Sequence, residues 1–279
     1  MADSSNSLAT RRLLLAMAAA LALVTQPGWA REGVEVGKES RFAKLVPAES
    51  IEQASVQKYG ELLQQARQQN ALFPDQAPQV IRLRDIARRI IPFTPEWNPR
   101  ANQWRWQVNL INAKEVNAFC MPGGKIVFYS AIIDKLKLTD DEIAMVMGHE
   151  TAHALREHAR ARMGKSAATG LAAGLVSQLL GLNSTGDQLL NMGNQLLNLK
   201  FSREDETEAD LVGMELAARA GYDPRAGITL WQKMAEASKG APPEFISTHP
   251  SDGSRIKQIE ANLPKVLPLY ERASKPPKR

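Results

Sequence analysis

"MGHETAHALREHAR" occupies residues 147–160 and places three histidines and two glutamates in a chain that has only four histidines among its 279 residues. Residues four apart on an α-helix lie one turn above each other on the same face, so His149 and His153 can aim both imidazoles at one metal ion. Glu150, about 100° round from His149, then sits beside that ion without ligating it, placed to act as a general base. A helix start stands just upstream: Thr139, followed three residues later by Glu142, forms a capping box ahead of the apolar run "IAMVM" at 143–147. The pattern predicts one helix over 140–163, its first half buried, so that the histidines lie in a cleft.

Two histidines and a base leave a catalytic zinc site one protein ligand short. A metzincin arrangement would need glycine at 156 and histidine at 159, where this chain has Arg156 and Ala159. On a continuous helix His158 falls off the metal-facing stripe and reads as a structural or surface residue. Carboxylates remain, and "SREDETEAD" (202–210) offers Glu204, Glu206 and Glu208 as competitors. Glu206 and Asp210 are four apart and share a helix face.

Outward from this centre the periodicities alternate between helix and strand. Residues 50–70 carry Ile51, Val56, Tyr59, Leu62, Leu63 and Ala66 at helical spacing, and a second helix is expected over 78–91. "QWRWQVNLIN" (103–112) switches to the two-residue period of a half-buried strand. Pro122, Gly123 and Gly124 then mark a turn between 115–121 and 125–129, a hairpin leading into the histidine helix. Further helices are expected over 201–221, ending at Gly221, over 223–238, and over 251–262. The Ala/Gly/Leu-rich stretch 166–199 reads as a helical hairpin packed on the domain or near a membrane surface, since its glycines make a poor span. The fold class is α+β, mostly helical with one small sheet.

At the amino end, Arg11 and Arg12 precede an apolar run from Leu13 to Val24, then Pro27 and small residues up to Ala30. That order is a secretory signal peptide with cleavage expected near residue 30. Residues 31–265 are expected to form a single domain, and 266–279 a basic, solvated tail. One cysteine, Cys120, excludes an internal disulfide and reads as buried packing. A net charge of +5, with no aromatic-interleaved basic patch, argues against nucleic-acid binding.

Four ordered segments, "VNAFCMPGG" (116–124), "MGHETAHALREH" (147–158), "FSREDETEADLVG" (201–213) and "STHPSDGSRI" (247–256), resemble the HtpX-like zinc metallopeptidases related to the CAAX prenyl proteases, within their exported, soluble branch. The resemblance implies a zincin-type metallopeptidase domain holding one Zn2+ through His149, His153 and Glu206. Asp210 would accept the free ring N–H of a ligand histidine, with Arg255 in support. His249 would lie near the metal, stabilising the tetrahedral intermediate or occupying the open position and holding the enzyme latent. Asn117, Ala118 and Phe119 would form the sheet edge on which substrate lies as an added strand. The implied activity is proteolysis of misfolded or stalled polypeptides in the periplasm, with a peripheral membrane or outer-membrane assembly contact. The alternative is an envelope chaperone or assembly factor with a largely latent metal site. The spanning helices and helical repeats of some members are not expected here.

Overall fold

The computed structural model describes residues 31–169, 186–239, 243–249 and 253–277. The expected signal peptide and residues 170–185 of the expected helical hairpin lie outside the described residues. Helix α1 (Ala48–Gln68) buries Ile51, Ala54, Tyr59 and Ala66 along one stripe. Val56, assigned to that stripe by spacing, is exposed instead. Helix α2 (Pro78–Ile90) starts with proline, where a missing N–H has no helical partner to lose, and buries Val80, Leu83, Ile86, Ala87 and Ile90.

Strands β1 (Gln107–Ile111), β2 (Ala118–Met121) and β3 (Lys125–Tyr129) form a sheet in the order β1-β3-β2. The hairpin is as expected: β2 pairs antiparallel with β3, Phe119 opposite Val127 and Met121 opposite Lys125. β1 runs parallel to β3 on its other side, so β3 is the central strand and β2 lies at an edge. Gly123 and Gly124 turn the chain with φ of +82° and +75°, a conformation side chains resist. The strand is shorter than the alternation suggested. Residues 99–103 form a 3-10 turn, so Trp104 and Trp106 lie ahead of β1 and pack ring against ring at 5.4 Å.

After α3 (Ser130–Leu136) comes α4 (Asp140–Leu155), whose capping box closes as predicted: Thr139 Oγ1 accepts from the Glu142 N–H at 3.2 Å and Glu142 Oε2 from the Thr139 N–H at 2.8 Å. Every residue from Glu142 to Leu155 is buried, so α4 is the central helix. The expected single helix to 163 is two. Glu157 adopts φ +54°, and α5 (His158–Ala168) leaves in a new direction. Helix α6 (Gly186–Leu197) follows, and its Met192 and Leu196 share a core with Ile51, Ala54 and Tyr59 of α1.

Helix α7 (Arg203–Arg219) opens with a second capping box, Ser202 with Asp205, and ends before Gly221 at φ +87°. Helix α8 (Ala226–Ala237) packs beside α4. A five-residue helix, α9 (Glu244–Thr248), lies between the stretches expected to be helical at 223–238 and 251–262. The last helix, α10 (Ser254–Arg272), runs well past the predicted end and overturns a tail starting at 266. Val266 and Leu269 continue the buried stripe of Ile259, and their burial, each on the order of 1.5–3 kcal/mol, offsets the hydrogen bonds lost at Pro264 and Pro268. The result is a mostly helical α+β zincin-like domain. No helix among the described residues is long and apolar enough to cross a membrane.

Helices α4 and α7 approach backbone to backbone at Gly148 and Gly213. A Cβ on Gly148 would stand 2.5 Å from the Gly213 carbonyl oxygen, and one on Gly213 would stand 2.5 Å from the His149 amide nitrogen. Both obstacles are backbone, so neither can rotate away. Gly213→Ala is therefore expected to push the helices apart at a cost of about 3 kcal/mol, the upper end for an overpacked core. Scanning calorimetry should show a fall in melting temperature of roughly 5–10 °C. A melting temperature within a degree of wild type would refute the close-contact account.

Candidate active site

Four side chains from three elements converge in the interior. α4 supplies His149 and His153 one turn apart, α7 supplies Glu206 from its first turn, and the residue capping α9 supplies His249. Each offers one ligand atom, and all four atoms lie within 4.8 Å of one another. The Nε2 atoms of His149 and His153 are 3.1 Å apart, and each is 3.5 Å from a Glu206 oxygen. His249 Nδ1 lies 3.0 Å from Glu206 Oε1 and 3.3 Å from His149 Nε2. All four side chains are at least 95% buried.

This donor set suits a divalent cation. Lone pairs of two imidazoles and a carboxylate pointed at one spot repel unless a positive charge stands between them. Buried acceptors also remain unmet: Glu150 Oε1 and Glu206 Oε2 have no aligned hydrogen-bond donor, although Arg255 Nη1 stands 2.8 Å from the latter. A buried acceptor without a donor is costly unless an ion uses it. Burial, together with the neighbouring His149 ring, pushes the His153 pKa well down, which keeps its ring neutral and its lone pair available.

Of the three competing glutamates, only Glu206 lies in the group. Glu204 is exposed, and Glu208 turns away to meet Arg156 Nε at 2.6 Å and His158 Nε2 at 3.2 Å. Asp210 lies against the far nitrogen of His149, Oδ1 to Nδ1 at 3.0 Å, and Arg255 grips it with two hydrogen bonds of 2.6 and 2.7 Å. Burial alone would raise the Asp210 pKa, but Arg255 and the His149 contact outweigh it and hold the carboxyl at about 2. Arg255 therefore does more than close a structural ion pair: it touches both Asp210 and Glu206, and its guanidinium lies 3.6 Å over the Trp231 ring.

Glu150 points to the same space from α4, with Oε1 3.5 Å from His249 Nε2. Burial raises its pKa against the opposing pull of His249 and His149. The cleft in front is walled by Asn117, Ala118 and Phe119 of the edge strand on one side and by Glu150, His153 and His249 on the other. Asn117 O accepts from the Tyr129 N–H, so by the alternation of antiparallel pairs the backbone groups of Ala118 and Cys120 face away from β3. Cys120 is buried beside this cleft, and burial pushes its thiol pKa up, consistent with a packing role.

Sequence reading missed three residues here. His158, read as structural or surface, is buried, and spacing does not foresee its contact with a site histidine: its Nδ1 lies 2.9 Å from His153 Nδ1. Phe201 stacks on the His153 ring at 4.0 Å, and Phe245 stacks on His249 at 4.6 Å. No spacing signal marks either phenylalanine, because each is brought in by a turn before or within a short helix.

The pattern of peptidase family M48 matches residues 81–263. The mitochondrial metalloendopeptidase OMA1 of Schizosaccharomyces pombe is 34% identical over 198 residues, covering 70% of this chain and 56% of that protein. Metalloprotease LoiP of Escherichia coli is 32% identical over 154 residues, covering 54% of this chain and 60% of its own length. The beta-barrel assembly-enhancing protease of the same bacterium is 29% identical over 175 residues, covering 59% of this chain and 36% of its own length. In each case the match spans less than two thirds of the relative. The family match takes in both helices that carry the converging histidines and glutamates, and the chain belongs to peptidase family M48.

Proposed function

We propose that this chain is a zinc-dependent endopeptidase that cleaves extended, unfolded polypeptides. The observation that carries the reading is the buried group His149, His153, Glu206 and His249 with Glu150 beside it, facing an edge strand. His149, His153 and Glu206 are the proposed ligands, and two imidazoles with one carboxylate suit zinc. Zinc, when bound, supplies the Lewis acidity that polarises a carbonyl and makes water acidic near neutral pH. Glu150 takes the proton from the attacking water and passes it to the leaving amine. Asp210, gripped by Arg255, accepts the His149 Nδ1–H and so keeps the Nε2 lone pair aimed into the site.

Asn117, Ala118 and Phe119 are proposed to take substrate as an added strand, which reads main chain more than side chains and admits only extended segments. That favours misfolded or stalled proteins as substrates. His249 is proposed as a gate: it stands among the ligand atoms, where a substrate carbonyl would need room. Glu150 favours hydrolysis over a purely binding role, since a structural metal site has no use for a buried base. The proposed setting is the periplasm, with residues 1–30 as an export signal. It draws on the charged, apolar, small-residue order of that segment and on an E. coli relative named for β-barrel assembly. A peripheral contact with the outer-membrane assembly machinery would follow. The yeast relative is named as mitochondrial, so the compartment rests chiefly on the leader.

Glu150→Gln should keep bound zinc and melting temperature while lowering cleavage of an unfolded substrate such as reduced casein by about 10²–10⁴-fold. Unchanged cleavage would remove Glu150 from the mechanism. Metal analysis after dialysis should find zinc lost from Glu206→Gln and retained by Glu208→Gln; the reverse would move the third ligand. His249→Ala should raise basal casein cleavage, and a fall would assign His249 to stabilising the intermediate instead.

A further inference from the structure

His158 opens α5 immediately after the left-handed Glu157, and both its ring nitrogens are engaged although the ring is 97% buried. On one side Nδ1 meets His153 Nδ1 at 2.9 Å; on the other Nε2 meets Glu208 Oε2 at 3.2 Å. Glu208 is in turn held by Arg156 Nε at 2.6 Å, and Arg156 Nη2 donates to the Gly37 carbonyl at 2.6 Å.

We propose that His158 and Glu208 are positioning residues that fix the tautomer and orientation of His153 as a metal ligand, a relay parallel to the one Asp210 makes with His149. The proposal rests on the reading of His153 as a ligand. The tautomers follow from geometry. His153 directs Nε2 into the ligand group, so its proton sits on Nδ1 and must be donated. The acceptor within reach is His158 Nδ1, which leaves the His158 proton on Nε2, pointing at Glu208. A carboxylate can only accept there, and Arg156 holds it in place.

The relay needs an intermediate histidine because of helical spacing. Glu206 and Asp210, four apart, both face the site, whereas Glu208 is about 200° round from Glu206. It cannot touch a ligand histidine directly. The break at Glu157 brings the ring of His158 back between them, which a continuous helix over 140–163 would not do. One helix, α7, thereby contributes a proposed ligand at 206, a direct orienter at 210, and a relayed one at 208.

The test compares two substitutions of opposite character in the purified full chain. His158→Phe keeps an aromatic ring but removes the acceptor; His158→Gln loses the ring but offers a side-chain carbonyl to His153. Zinc affinity by chelator competition should fall about 10- to 100-fold in His158→Phe, the usual scale for losing a ligand's orienting partner, and recover in large part in His158→Gln. With cobalt in place of zinc, the visible absorption bands should shift in the Phe variant and return toward wild type in the Gln variant. Glu208→Gln, nearly isosteric, should weaken zinc about 10-fold by placing an amide N–H against His158. A packing role predicts the opposite order, with Phe binding more tightly than Gln, and that order overturns the proposal. So does wild-type affinity in both His158→Phe and Glu208→Gln. His153→Ala separates the two layers: if it binds zinc as tightly as wild type, the ligand reading fails and the relay with it. If it loses zinc while His158→Phe does not, the relay alone fails.

Discussion

The site depends on two glycines that let α4 and α7 touch backbone to backbone. Gly148 immediately precedes His149, and Gly213 lies one turn beyond Asp210, so the point of closest approach adjoins the histidine whose far nitrogen meets Asp210. A side chain at either position would open the helix pair by more than the slack in a 3 Å hydrogen bond. The consequence is geometric: with the axes this close, a short glutamate and a shorter aspartate on α7 both reach histidines on α4. Helix α4 is buried on every side, and its two site histidines are met by those acids and not by water.

That closeness concentrates charge in a dry volume. Three imidazoles, three carboxylates and one guanidinium share it, counting His149, His153, His249, Glu150, Glu206, Asp210 and Arg255. Arg255 offsets one carboxylate fully through its paired bonds to Asp210 and approaches Glu206 without alignment. Glu150 has the His249 ring at 3.5 Å and no aligned donor for its Oε1 among the described residues. Burying charge without compensation is expensive, so an arrangement with one fixed cation for three acids is built around a further positive charge. The chemistry of the donors and the electrostatics of the interior thus point to the same group, a divalent cation.

What could be read from the sequence was what depends on local period. The four-residue spacings His149/His153 and Glu206/Asp210, the Thr139 capping box and the Gly123–Gly124 turn all stand where pattern placed them. What could not be read depends on tertiary choice. Nothing between Leu155 and His158 signals a break, because Glu157 in a left-handed conformation is a strained choice that packing enforces. That break is what brings His158 against His153. The last helix is expected to end at 262, yet the buried stripe through Val266 and Leu269 carries α10 past it. The parallel pairing of β1 with β3 is also a long-range choice, and it puts β3 in the middle of the sheet.

That edge and the proposed gate are mechanically joined. The Phe245 N–H donates to the Val116 carbonyl at 3.1 Å, and the His249 N–H donates to the Phe245 carbonyl at 2.8 Å. The segment carrying His249 is therefore tied by a backbone bond to the residue two positions before β2, and Phe245 stacks on the His249 ring itself. If β2 takes a substrate strand as proposed, a peptide running along it toward Val116 meets this bond directly. Competition for the Val116 carbonyl would loosen α9, and with it the ring standing among the ligand atoms. Such coupling needs no distant effector, because occupation of the strand edge and removal of His249 would be two ends of one short lever.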